Sequence, residues 1–410
     1  MTSDDVTMGR LGSLSRFRRY DALALTALVW FLGKFLRYAF PPLFGQFETI
    51  YDVSRTDLGL AFTGLMLVYA AMQFPSGFIA DRSGSVDVIT AGGVVTGIGG
   101  LALVVNAPFA VLAGAMLLVG AGTGTYKTVA IELLSRIYPT ETGRSLGVFD
   151  TVGSLAGVAA PAAVVAATSL PGVFGAPWRT LFLVGGLAAL VVALAFLIRV
   201  PRHLEREPAA TESDGSPQFR EYVDLFRRPK FSAFVIVTIL FSFVYNGLVA
   251  FLPLYLMGAG NLPSVTANLL FSGLFAVSLV QLVTGEASDR VGVLPLVVGT
   301  LVTATAGLVA LVVLSGTTGA IGLGASVIVL GIGAHGYRPV RGAYLVTVLP
   351  ESIAKGSLGV VRTLLVAAGA VGPAAVGYLS DVRGFRVAFG VLAVILCIAT
   401  ILTVILWVVD

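Results

Sequence analysis

Apolar runs of about twenty residues or more follow one another along this chain, separated by short polar turns. A helix of that length crosses about 30 Å of hydrocarbon. Water cannot satisfy a backbone there, so an open segment must close its own hydrogen bonds as an α-helix. Gly and Ala are scattered through the runs and no segment keeps two-residue alternation, which sets a β-barrel aside. Composition points the same way: 57% of residues are hydrophobic and 12% charged, about half the charge of a soluble domain. The mean hydropathy is +0.94. Twelve spans are expected, near 21–45, 56–80, 86–106, 108–137, 143–169, 178–199, 231–258, 264–288, 293–314, 317–348, 353–380 and 385–408.

Residues 200–230 form the long polar stretch, with prolines and mixed charge. They divide the chain into an N-terminal six-helix bundle (1–199), a central loop (200–230) and a C-terminal six-helix bundle (231–410). Tyr222 to Arg228 reads as a short amphipathic helix at the interface. The first twenty residues are polar and basic without a cleavage-type signal, so the first span is read as retained. With the N-terminus inside, 16 of the 26 Lys and Arg fall in cytoplasmic segments and 4 outside. That bias places both termini in the cytoplasm and the chain in a cytoplasmic (inner or plasma) membrane. The lone Cys397 excludes an intrachain disulfide or cysteine metal cluster. Neither metal nor cofactor is expected, the dispersed basic residues give no sign of nucleic acid, and a functional monomer in the lipid bilayer is the expectation.

One stretch is written twice. Gly120 to Pro161 returns as Gly331 to Pro373 at a spacing of 211, then 212 after one inserted residue. Gly120 and Gly122 match Gly331 and Gly333; Tyr126-Lys127 matches Tyr337-Arg338; Pro139 matches Pro350; Arg144 matches Lys355; and Asp150 matches Arg362. A second duplication pairs Gly77-Phe-Ile-Ala-Asp81-Arg82-Ser-Gly84 with Gly285-Glu-Ala-Ser-Asp289-Arg290-Val-Gly292. Parallel six-helix repeats put a substrate site near the midplane, where the halves meet.

Twelve spans in two repeats, with GxxxDRxG after spans two and eight, resemble the major facilitator superfamily over essentially the whole chain. The family's usual basic pair after the motif is replaced here by Ser85-Val86. The resemblance implies an all-α membrane protein of two pseudo-symmetric bundles that rock about a central site without hydrolysing ATP. It also implies that spans one, four, seven and ten line that site, and that Asp81, Arg82, Asp289 and Arg290 govern gating.

Six cations lie within spans: Lys34, Arg37, Lys127, Arg338, Arg341 and Arg362. Each costs about 2.5–3.5 kcal/mol at mid-membrane, roughly 15–20 kcal/mol together. Few carboxylates stand near enough in sequence to answer them; Glu132 and Asp150 are the clear ones, with Glu286 near a boundary. Snorkelling to the interface or pairing with those carboxylates would explain some. Lys127 and Arg338, twelve residues before Pro139 and Pro350, lie about 18 Å of helix rise from them, too deep to snorkel. A wet cavity and a bound anion would relieve the rest, and an arginine grips carboxylate or phosphate with two parallel hydrogen bonds.

Tyr38, Tyr126, Tyr245, Asn246 and Tyr337 are expected to add hydroxyls, ring faces and an amide to the substrate site, with Tyr69, Gln73 and Gln281 further candidates. Asp150, Glu132 and His335 are candidates for proton coupling. Permanent pairing for the carboxylates and a plain core role for His335 stay open. Glu141 and Arg144 read, with the duplicated motif, as a cytoplasmic gate. Gly331-x-Gly333-x2-Gly336 matches a dinucleotide fingerprint in letters, but it follows no strand and lies within a membrane helix, where close packing accounts for it. The sum is a secondary transporter for a small organic anion, a carboxylate ahead of a phosphate ester, most simply by proton symport. A drug/proton antiporter is the alternative, suggested by Gly153-x3-Gly157-x3-Pro161 in span five. A ligand sensor is the more distant one.

Overall fold

In the computed structural model the described residues (3–169, 172, 174–200, 226–348 and 366–409) contain helices and turns but no strand. The first bundle comprises α1 (Ser3–Tyr51), α2 (Arg55–Ser83), α3 (Ser85–Ala102), α4 (Phe109–Ile137), α5 (Thr142–Ala167) and α6 (Pro177–Arg199). The second comprises α7 (Pro229–Gly258), α8, α9 (Val293–Leu314), α10 (Gly319–Val348), α11 (described from Gly372 to Arg383) and α12 (Phe385–Val409). α8 is made of Ser264–Ala276 and Val280–Val291 joined by a 3-10 turn, Val277–Leu279. Among the described residues, eleven of these helices are long and apolar enough to cross a membrane. Most of the central loop, and with it most of the expected Tyr222–Arg228 helix, lies outside the described residues.

The duplicated glycines act through contact distance. A Cβ on Gly120 would lie 2.3 Å from the Leu65 carbonyl oxygen of α2, and one on Gly122 would lie 2.4 Å from the Gly92 oxygen of α3. Their counterparts do the same one bundle later: Gly331 would meet the Leu274 oxygen of α8 at 2.9 Å, and Gly333 the Ala304 nitrogen of α9 at 2.2 Å. Hydrocarbon offers helices no hydrophobic drive to associate, so small residues that admit close backbone contact hold them together. The duplicated tyrosines fix the same two helices in rotation. Tyr126 donates to the Val29 oxygen of α1 at 3.1 Å, and the Tyr337 hydroxyl meets Thr238 Oγ1 of α7 at 3.4 Å.

The two GxxxDRxG segments end in Gly84 and Gly292, both at φ +94, a conformation that costs any residue with a Cβ. Each makes the tight corner between consecutive helices. The same spacing occurs a third time in Gly377, Asp381 and Gly384, with Gly384 at φ +81. That copy departs from the motif, since Val382 and Arg383 stand where the others carry Arg and a variable residue.

Here the two bundles touch. Asp381 of α11 accepts from the Arg55 backbone at 3.3 Å, the Thr56 backbone at 2.8 Å and the Thr56 hydroxyl at 2.6 Å. It thereby caps the N-terminus of α2 from the other bundle, where a carboxylate is favoured by the unpaired N–H groups and the helix dipole. Ser54 and Asp57 complete a capping box of their own on α2. The Arg55 guanidinium lies 4.5 Å over the Phe385 ring and pairs with Glu48 at 3.2 Å. Deeper in, Ala374 donates to Thr63 Oγ1 at 3.0 Å, Ser272 donates to the Val158 oxygen at 3.0 Å, and Phe44 of α1 meets Phe251 of α7 at 5.4 Å.

Gly333→Val is expected to lower stability by about 1–3 kcal/mol, since the overpacked α9–α10 contact has no slack. Gly114→Ala, whose methyl would meet nothing within 4 Å, should change it by less than about 0.5 kcal/mol; thermal denaturation of the purified variants measures both. Removing the inter-bundle cap with Asp381→Ala should weaken the contact between the bundles at that end by about 0.5–2 kcal/mol. Faster labelling of a cysteine placed at Thr63, in a background lacking Cys397, is the expected readout.

Candidate functional site

Between the bundles lies a cavity of about 460 Å³. Its cations are Lys34 and Arg37 from α1, Lys127 from α4, and Arg338 and Arg341 from α10. Lys34 and Arg37 are three residues apart, as are Arg338 and Arg341, so each pair shares a helical face. Lys127 and Arg338 each follow a tyrosine braced against α1 or α7, and the next position along the helix turns to the cavity. The side chain closest in kind to a counter-charge is Asp150 of α5, the single carboxylate in the lining among the described residues.

Aromatic rings meet these cations. Lys34 Nζ lies 5.3 Å from the Trp30 ring centroid and 5.7 Å from that of Tyr38. The Arg37 guanidinium sits 5.1 Å from the Tyr38 ring and 5.0 Å from Tyr69. Lys127 approaches the other reach of Trp30 at 4.6 Å, and Arg338 lies 4.7 Å from Tyr245. A ring face holds a desolvated cation by about 2 kcal/mol or more and leaves its hydrogens available to a ligand. Among the described residues Lys34, Arg37 and Arg338 have no carboxylate within 4 Å, and Arg37 Nε is buried without a hydrogen-bond partner. Asp150 is likewise in no ion pair there, and it is exposed to the cavity.

Tyr38, Tyr245, Asn246, Gln73 and Gln281 all reach the lining. Tyr126 and Tyr337 do not; burial and their bracing bonds make them part of each bundle's core. Glu132 is drawn away from the cavity by an ion pair one turn along α4 with Arg136. His335 is buried edge-on to Tyr245 and Phe275, at centroid distances of 6.1 and 5.7 Å, outside the lining. Arg362 and Lys355 lie outside the described residues. Trp30 is the residue the sequence reading passed over. A tryptophan in an apolar run carries no sign of polar company, and the signal available was its position one turn before Lys34.

Of the expected gate residues, Asp81 and Arg82 stand at the end of α2 remote from Asp381. Arg82 lies over its own helix's Phe78 ring at 3.8 Å, and Asp81 makes no ion pair or hydrogen bond among the described residues. Arg290 pairs with Glu286 within α8 at 2.5 Å, and Asp289 occupies the motif's acidic position beside it. Glu141 and Arg144 flank the start of α5 and are exposed. The hydrogen bonds between bundles among the described residues thus fall on the opposite side of the cavity. There Phe62, a lining residue, packs edge-on to Phe44 at 6.0 Å and closes the floor.

No curated protein matches the sequence. Solved structures match its fold over nearly the whole length. A bacterial homologue of the human lysosomal transporter Spinster, inward-facing and unoccupied, aligns with TM-score 0.81 at 17% identity, covering 95% of this chain and 97% of that one. The nucleoside transporter NupG gives 0.78 at 14% identity, with 94% and 99% covered. A D-xylose-proton symporter gives 0.74 at 14%, with 94% and 97% covered. These share architecture while their named cargoes differ. The sequence profile of the Major Facilitator Superfamily matches residues 23–334 and again 261–410. With two six-helix bundles around a central cavity, this chain belongs to the Major Facilitator Superfamily and is a multi-pass membrane protein of its secondary-transporter kind.

Proposed function

We propose that the protein carries a small organic anion, a carboxylate ahead of a phosphate ester, across the cytoplasmic membrane by proton-coupled symport, with both termini in the cytoplasm. The observation that supports this most directly is the cavity's charge. Cations from both bundles converge on it, and among the described residues rings rather than carboxylates accompany Lys34, Arg37 and Arg338. A cation desolvated without a counter-ion is costly, and an anionic cargo supplies that counter-ion once per cycle. A cationic cargo would add to the repulsion, which weighs against the drug-exporter reading.

Among the described residues the bundles meet around Asp381 and Phe44, and no hydrogen bond or ion pair joins them around Asp81 and Glu141. In the proposed orientation the protein is therefore open to the cytoplasm, and rocking would exchange one closed end for the other. Anion binding draws Arg37 and Arg338 towards a common point, which gives the ligand the differential affinity that any population shift requires. Asp150 is the proposed proton carrier. It faces the cavity, is free of an ion pair among the described residues, and stands on the helix that packs against α1 and α8.

In proteoliposomes, Arg37→Ala and Arg338→Ala should each weaken anion uptake about 10–100-fold, the worth of a charged hydrogen bond at about 1.5–3 kcal/mol. Undiminished uptake by both variants would remove the anion reading. Asp150→Asn should lose accumulation driven by a proton gradient while keeping exchange of labelled for unlabelled substrate. Proton-driven accumulation surviving in that variant would assign coupling elsewhere.

A further inference from the structure

We infer that the cargo carries at least two negative charges and binds by bridging the bundles, an inference that rests on the anion reading above. The count can be made without Lys127 and Arg341. Lys34, Arg37 and Arg338 line the cavity with no carboxylate within 4 Å, and Asp150 is the one acidic side chain there among the described residues. Even with Lys127 and Arg341 left aside, three cations against one carboxylate leave at least two positive charges. Lys34 and Arg37 belong to α1 of the first bundle, and Arg338 to α10 of the second, so the excess is divided between the two moving bodies.

Hydrogen bonding makes the same demand. Gln73 Nε2, Tyr245 Oη and Arg37 Nε belong to cavity-lining side chains and are buried without a partner. Two of the three are obligate donors and the third donates readily. Leaving buried donors unsatisfied costs about 1–3 kcal/mol each, so a ligand rich in acceptor oxygens fits where one rich in N–H groups does not. A monoanion would answer one bundle's charge and leave the other's exposed to the cavity. A dianion answers both, whether its charges lie on two carboxylates or on one phosphate ester.

The test is ligand binding to the purified full-length protein at neutral pH, measured by thermal shift and by competition. The probes are succinate, butyrate, phenyl phosphate and uncharged 1,4-butanediol. Succinate or phenyl phosphate should bind at least about tenfold more tightly than butyrate, and the diol should not register. Tighter binding of phenyl phosphate places both charges on one group, and tighter binding of succinate places them apart; each supports a dianion. Arg338→Gln removes the excess charge that the second bundle contributes in this count and should bring the preference for succinate over butyrate to within about threefold of unity. Arg37→Gln serves the same purpose if that variant does not purify folded. Asp150→Asn adds to the excess and should increase the preference. A merely structural role would weaken both ligands in parallel and leave their ratio alone. Equal binding of butyrate and succinate, with a ratio unmoved by these substitutions, overturns the dianion and leaves the anion reading standing. Failure of every anion to bind overturns both.

Discussion

A cation carried into hydrocarbon has to be met by something, and the organisation of this protein follows from how its central cations are met. Lys34, Arg37 and Arg338 lie against the faces of Trp30, Tyr38, Tyr69 and Tyr245. Carboxylate pairing would neutralise them permanently and leave nothing for a ligand to do. Ring faces lower the cost of burial while keeping the N–H groups directed outward. These residues gather on the helices that line the cavity between the bundles.

The glycines and tyrosines of the repeated segment make that gathering possible. Gly120 and Gly122, and again Gly331 and Gly333, let α4 and α10 approach their neighbours closely enough to fix their axes. Tyr126 and Tyr337 then fix the rotation by reaching α1 and α7. The adjacent cation has only one direction left, towards the interface. In span five the glycines do comparable work: a Cβ on Gly153 would strike Trp30 at 2.2 Å, and one on Gly157 would strike Phe275 at 2.4 Å. Those glycines, which in sequence suggested an exporter motif, seat the tryptophan that holds two lysines and the phenylalanine that meets Tyr38 across the interface. Motion between bundles requires contacts that can be exchanged, and the Asp381 cap on α2 is of that kind. Its hydrogen bonds go to the end of a helix that also owns the Ser54–Asp57 capping box, so separation does not strand the whole terminus.

Eleven of the twelve expected spans, among the described residues, and the two related halves were legible in the residues themselves. Apolar length specifies a membrane helix because the solvent leaves the backbone no alternative, and a repeat at a fixed spacing is a repeat in space. Local chemistry carried further in places, as in the SRTD start of α2 and the glycine corners after Asp81 and Asp289. What tertiary structure alone decided was which side chains share a surface. Tyr126 and Lys127 are neighbours in sequence and equally plausible ligands by type, yet helix rotation sends one into the core and the other to the cavity. Glu132 and Asp150 are both lone acids in apolar runs; Arg136 claims the first within its own helix, and nothing comparable reaches the second among the described residues. The contacts of Trp30 with Lys127 and of Asp381 with Thr56 could not be read from the sequence, because those partners stand in other helices about a hundred or several hundred residues away. Burial and charge pairing are properties of the packed helices, and residue type sets only the cost of getting them wrong.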